Sequence, residues 1–198
     1  MKTRTEVDSL GSVTVPAQAF YGAQTARAIK NYPISGLRAH PAFIKAYALL
    51  KLACAEVNVQ LGLIPRPIGR AIIHAATDIG RGLYRDQFVV DVYQAGAGVS
   101  FHMNVNEVIA NLAIVHLARR QGLKPRLGDH SIVHPNDHVN FGQSTNDTFP
   151  AAARMAALLL LDEFYPALEA LESAFRKKAV EFDGILKSGR THLQDAVP

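Results

Sequence analysis

The sequence predicts a mainly α-helical fold, on three observations. Apolar residues recur at steps of three and four in separate segments between Pro41 and Gly122. A seven-residue apolar repeat runs on from Ser144. Glycine or proline closes each periodic stretch. The expected organisation is an N-terminal, mostly helical domain over residues 1–143, with an arm and active-site loops. Residues 144–198 then form the first long helix of a central bundle and the loop after it. With 198 residues, 48% of them apolar and 19% charged, the chain can bury a core and is not a disordered tail.

Residues 1–36 are punctuated by Gly11, Pro16, Gly22, Pro33 and Gly36 and read as an extended arm. One short strand is expected in "SVTVPAQAFYGAQT", with a turn at Gly22. A first helix, "HPAFIKAYALLKLACAEVNVQLG", starts near Pro41 and stops at Gly62. Phe43, Tyr47, Leu50, Cys54 and Val57 form its expected inward stripe. A second, "RPIGRAIIHAATDIGRG", turns Ile68, Ile72, Ala75 and Ile79 inward. The third covers 104–122 and is closed by Gly122. Residues 123–142 lack helical period and read as a loop.

From Ser144, two apolar series repeat every seven residues: Leu161, Leu168, Phe175 and Phe182, and Ala157, Phe164, Leu171, Lys178 and Ile185. That is the seam of a helix packing against others. Lys178 is its polar exception. Pro166 is expected to bend or interrupt the helix, because it lacks an N–H. About 40 residues span roughly 60 Å and need partners along the seam. Residues 1–143 hold too few helices for that, so other chains or further sequence must cover it. Gly189 is expected to end the helix, and Pro198 suits the first turn of another. The chain therefore reads as the N-terminal part of a longer protein.

Several function classes recede. "AALLLL" (156–161) is too short to span a bilayer and leads into Asp162 and Glu163. "MKTRTEVDSLG" has no apolar core of a signal peptide, so a cytoplasmic location is expected. The formal charge of +4 is scattered, with no nucleic-acid footprint. Cys54 is the single cysteine, which excludes an internal disulfide, and it reads as an inert buried thiol. His134 and His138 lie four apart, but Pro135 and Asn136 between them argue against a helix, and no metal is expected.

Packing does not explain four polar segments: "DVYQAGAGVSFHMNVNEV", "VHPNDHVN", "GQSTNDTFP" and "SGRTHLQD". One residue among Ser144, Thr145, Asn146 and Asp147 suffices to cap a helix, yet four stand in a row. Hydroxyls, amides and free N–H groups at a helix start suit a carboxylate. Thr191 and His192 add a donor and a titratable group at the far end of the long helix. Antiparallel copies in an oligomer could bring the two ends to one shared site.

The segments "DSLGSVTVPAQAFYGAQTARAIKNYPIS", "DQFVVDVYQAGAG", "NVNEVIAN", "HPNDHVNFGQSTNDTFP" and "GRTHLQDAVP" together resemble the N-terminal part of the class II fumarase and aspartate ammonia-lyase superfamily. The resemblance covers essentially the whole chain. It implies a three-domain helical fold, a homotetramer, and active sites each built by three subunits. It implies reversible anti-elimination across the Cα–Cβ bond of a succinyl compound, with no cofactor. "QAGAG", "QSTND" and "LQDAVP" resemble aspartate ammonia-lyases more than fumarases, so L-aspartate is the expected substrate and malate the alternative. A helical oligomerisation module without chemistry would account for the seam, but not for "QSTND" and "RTHLQD" together.

The resemblance also implies the site. His192 and Thr191 are catalytic, and the general-base serine lies beyond residue 198, so residues 1–198 alone are expected to be inactive. Ser100, Ser144, Thr145 and Asn146 bind substrate. His134, Asn136 and Asp137 form a second carboxylate site, with Ser131 where its arginine usually stands. Three positions depart from the pattern near the glycines. Val99 replaces a threonine that contacts a substrate carboxylate, Ala97 a fumarase serine, and His102 an asparagine. Ser100 is the nearest hydroxyl that could stand in for the lost threonine.

Overall fold

The computed structural model describes residues 2–195. The N-terminal stretch is not an arm with one strand. Strands β1 (Thr3–Asp8) and β2 (Gly11–Pro16) form an antiparallel hairpin, and a helix, α1 (Ala23–Asn31), follows. The turn expected at Gly22 is the start of α1. Gly22 is required by close approach, because a Cβ there would lie 2.6 Å from Glu6 Oε2 and 3.0 Å from the Glu107 carboxylate.

Three longer helices follow: α2 (Pro41–Gln60), α3 (Arg66–Gly80) and α4 (Val99–Arg120). Pro41 sits in the first turn of α2, as its fixed φ allows, and His40 Nδ1 accepts from the Ala42 amide at 3.2 Å. The inward stripe of α2 is rotated from the one expected. Ile44, Tyr47, Ala48, Lys51, Ala55 and Asn58 are buried, whereas Val57 is 52% exposed. Two polar residues, Lys51 and Asn58, occupy inward positions that an apolar pattern alone does not reveal. In α3, Ile72, Ala75 and Ile79 are buried as expected, and Ile68 packs at the core edge.

Helix α4 begins at Val99, not Asn104, so the Gly-Ala-Gly turn leads straight into it. It is buried on all sides from Phe101 to Val115 and packs on α3 and α1. Its polar residues tie down loops. Asn104 binds the backbone of Gln87 and Val89 at 3.0 Å, and Asn111 binds Phe20 O at 2.8 Å and Gly128 N at 2.7 Å. The loop at 123–142 contains a helical turn of the wide π type, Pro135–Val139, so the segment between His134 and His138 is helical after all.

Helix α5 (Thr145–Phe182) continues through Pro166 without interruption, since one absent N–H removes a single bond from a long ladder. It ends before Gly184, not at Gly189, which leaves Ile185 outside the helix. The chain divides into two units, 1–159 and 160–198. In the second, every residue from Asp162 to Gln194 is exposed, including the seam residues Leu168, Leu171, Phe175 and Phe182. Strands β3 (Arg190–Thr191) and β4 (Gln194–Asp195) close the described residues. Pro198 lies outside them. Among the described residues no helix is long and apolar enough to cross a membrane.

Candidate active site

The four polar residues that open α5 divide their work. Ser144 is the cap: its Oγ accepts from the Asn146 amide at 3.2 Å, and its carbonyl accepts from Thr148 N at 2.9 Å. Thr148 is buried. Its Oγ1 donates back to Ser144 O at 3.0 Å, so the 2.9 Å contact with Tyr47 is a donation from the tyrosine. Asn146 is exposed and Thr145 half-buried. Capping therefore uses one residue and leaves Asn146 and Thr145 for something else.

Asn146 lines a cavity of about 360 Å³ with Gln94, Gly96, Ala97, Gly98 and Phe149. Gly98 makes this closeness possible. It caps α4 in the left-handed region at φ 87°, and a Cβ there would lie 2.1 Å from the Phe149 ring. Phe149 is locked in turn by Phe43, Tyr47 and Phe101, with ring centroids 5.1 to 6.5 Å away. The glycine turn and the start of α5 are thus held together by packing. Ser100 and Val99 line an adjoining cavity, also about 360 Å³, whose other wall is α1 with Gln24 and Asn31. Gly96 borders both cavities. Ser100 is therefore beside the glycine turn but not in the Asn146 cavity.

Behind Thr145 lies a buried polar chain that the sequence pattern did not disclose. The Thr145 hydroxyl contacts His102 Nδ1. The other ring nitrogen, Nε2, lies 2.7 Å from Asn140 Oδ1 and 3.1 Å from Lys51 Nζ. Lys51 also donates to Asn140 Oδ1 and Gln143 Oε1, both at 2.9 Å. Lys51 is fully buried, and burial brings its ammonium down to about 7. Burial and the neighbouring Lys51 charge bring the His102 imidazole down to about 4. The one signal in the sequence was His102 itself, a departure from the family's asparagine. Lys51 carried none, because a lysine in a helical segment ordinarily faces water.

Cys54 is half-buried, and burial pushes its thiol up, consistent with an unreactive side chain. His134 and Asn136 line a cavity of about 260 Å³. His134 Nδ1 accepts from the amides of Asn136 and Asp137 at 3.2 and 3.1 Å. Asp137 is outside that lining, though its Oδ2 lies 3.3 Å from His134 Nδ1, and Glu107 and Asp8, the latter paired with Arg27, line the same cavity. Thr191 and His192 belong to the second unit. There Thr191 Oγ1 donates to Gln194 O at 3.3 Å, and His192 is exposed in the turn between β3 and β4. Among the described residues no group of three or more His, Cys, Asp or Glu side chains could hold a metal ion.

A helical scaffold of this kind matches the family model described as lyase over residues 11–198, and the chain belongs to that family. More narrowly, it is a member of the fumarase/aspartase superfamily, whose fold is mainly helical. It is 49% identical over 196 residues to a class II fumarate hydratase of Halobacterium salinarum, covering 98% of this chain and 40% of that protein. It is 45% identical over 195 residues to an aspartate ammonia-lyase of Bacillus sp, with the same two coverages. Among solved structures, the fumarate lyase:delta crystallin from Brucella melitensis superposes with a TM-score of 0.85 at 48% identity, covering 100% of this chain and 45% of that one. The class II fumarase of Schistosoma mansoni gives 0.82 at 36% identity, covering 100% and 40%. The chain thus spans about 40% of the length of these curated relatives.

Proposed function

We propose that the native protein is a lyase that adds and removes a small nucleophile across the double bond of a four-carbon dicarboxylate, with fumarate as the unsaturated partner. The observation that carries this reading is the cavity shared by the Gly96–Gly98 turn and Asn146; Thr145, the residue before Asn146, is not among its lining residues and joins the site as part of the proposal. These groups offer donors without a competing base. Removal of the Cβ proton puts a second negative charge on the adjacent carboxylate, and preorganised donors are most valuable where such charge builds. Asn146 both donates and accepts, so it suits either a hydroxyl or an amino leaving group. In this reading the base is a serine outside residues 1–198. Thr191 and His192 are supplied to the site by another subunit of a homotetramer. The exposed apolar face of α5, with Leu168 46% and Phe175 68% accessible, supports such an assembly.

Water is the better supported of the two leaving groups. Identity to class II fumarate hydratases runs from 46% to 49%, against 45% to 46% for aspartate ammonia-lyases. The expectation of L-aspartate drawn from "QAGAG", "QSTND" and "LQDAVP" is kept as the second reading. Assay of the native protein on L-malate and L-aspartate, followed by fumarate absorbance, separates them. Thr145→Val tests the site. It keeps the shape and leaves the Ser144 cap intact. It should lower kcat/KM by about 10²-fold or more. Stability should fall only by one lost buried hydrogen bond, about 1–3 kcal/mol. Unchanged kinetics would remove Thr145 from the site.

A further inference from the structure

We propose that Lys51 and His102 are positioning residues that set the hydrogen-bonding direction of the Thr145 hydroxyl, so that a proton on Lys51 makes Thr145 a donor to the substrate carboxylate. The proposal rests on the reading above that Thr145 faces substrate. Its basis is the order of atoms in the buried chain. A charged Lys51 has three protons and three partners within reach: Asn140 Oδ1 at 2.9 Å, Gln143 Oε1 at 2.9 Å and His102 Nε2 at 3.1 Å. If Nε2 accepts, a neutral imidazole carries its proton on Nδ1, which faces Thr145 Oγ1. That proton occupies a lone pair of the hydroxyl and leaves the hydroxyl's own proton free to point outward.

An uncharged Lys51 keeps two N–H groups, enough for Asn140 Oδ1 and Gln143 Oε1, and gains a lone pair. The imidazole proton then belongs on Nε2, where Asn140 Oδ1 waits at 2.7 Å. Nδ1 becomes an acceptor and takes the Thr145 proton. The hydroxyl can now offer only lone pairs, which repel a carboxylate. The two arrangements differ by one proton and one tautomer: the second makes the 2.7 Å Nε2–Asn140 Oδ1 contact a hydrogen bond, whereas in the first two acceptors meet there and the Lys51 ammonium, donating to both, holds them together. The asparagine usual in the family at position 102 has no ring to transmit that change.

Burial supports this geometry. Lys51 titrates at about 7, and His102, at about 4, stays neutral through that change. The titratable groups near the pair are few. Tyr47 lies with its ring centroid 5.9 Å from Lys51 Nζ, and burial pushes its phenol up to about 12. Cys54, one turn along α2, is pushed up by burial and senses Asp147 from α5. His102 is the group presented by α4, and the segment after the π turn presents only Asn140 and Gln143.

The experiment is long-range ¹H–¹⁵N correlation of histidine-labelled native protein, below and above the Lys51 titration, with the Lys51 ¹³Cε shift followed in parallel. The His102 proton should move from Nδ1 to Nε2 with the same midpoint as Lys51. In steady state, KM for the dicarboxylate should rise about tenfold or more across that midpoint. A proton that stays on one nitrogen, or a midpoint different from that of Lys51, overturns the proposal even if Thr145→Val still lowers kcat/KM. A tautomer change that tracks Lys51, with Thr145→Val kinetically silent, upholds the coupling and removes the substrate reading on which it was built.

Discussion

Glu107 offers a sharp test of how the start of α1 is built. Helix α1 has no acidic residue in its first turn, and its N-cap, Gly22, has no side chain to bond with. The missing cap comes from α4. Glu107 Oε2 accepts from Gly22 N at 2.9 Å, Thr25 N at 3.1 Å and Thr25 Oγ1 at 2.6 Å, and Oε1 accepts from Gln24 N at 2.8 Å. Glu6 takes the remaining amide, Ala23 N, at 3.0 Å. In Glu107→Gln the amide oxygen can take the place of Oε2 and keep three bonds, but its NH₂ then faces the Gln24 N–H. One donor is left unpaired, at about 1–3 kcal/mol. Loss of the charge at the helix start adds about 0.3–1 kcal/mol. Burial holds the Glu107 carboxyl above its usual range, so shedding the charge returns part of that cost. A net loss of about 1–3 kcal/mol follows. At about 2–4 °C per kcal/mol for a protein of 150–250 residues, the melting temperature falls by about 2–12 °C. Glu107→Ala abandons all four bonds and should cost at least twice as much. Thermal melts of parent and variants decide it, with amide exchange at Gln24 as the local readout. A Glu107→Gln protein that melts at or above the parent, with Gln24 exchange unchanged, would refute the capping role.

Two more outcomes are expected. Gly98→Ala combines a left-handed backbone with a methyl 2.1 Å from the Phe149 ring, and should cost about 2–5 kcal/mol and most of the activity. Gly96→Ala, at φ 66° but with nothing within 4 Å, should cost only about 1–2 kcal/mol; equal melting temperatures for the two variants would show that the Phe149 contact does not matter. Leu168→Asp with Phe175→Asp, both at exposed positions of α5, should leave the residue 1–159 unit folded and dissociate the native assembly in sedimentation; an unchanged profile would show that this face is not buried between chains.

Much of this protein was legible from its sequence because the relevant signals are local. Pro41, Gly62 and Gly122 bound helices through the φ angles they permit, and the spacing of Ile72, Ala75 and Ile79 names the face of α3 that is buried. Seven-residue spacing found the long helix, and the run of Ser144, Thr145 and Asn146 marked a helix start with more polar groups than a cap needs. What failed at this level depends on partners far along the chain. Helix α1 is not legible in the sequence, because its cap is Glu107, more than 80 residues on, and nothing near Gly22 announces a helix start. The α2 stripe differs from its apolar pattern because Lys51 is buried, and a buried lysine is tolerated here because α4 and the segment before α5 bring three acceptors to it. Sequence chemistry thus marks Ser144, Thr145 and Asn146 as side chains whose donors suit a carboxylate. Tertiary packing alone decided that Thr145 would be backed by His102 and Lys51, because only folding brings residues 51, 102, 140 and 145 within hydrogen-bonding distance and removes the water that would otherwise satisfy each of them.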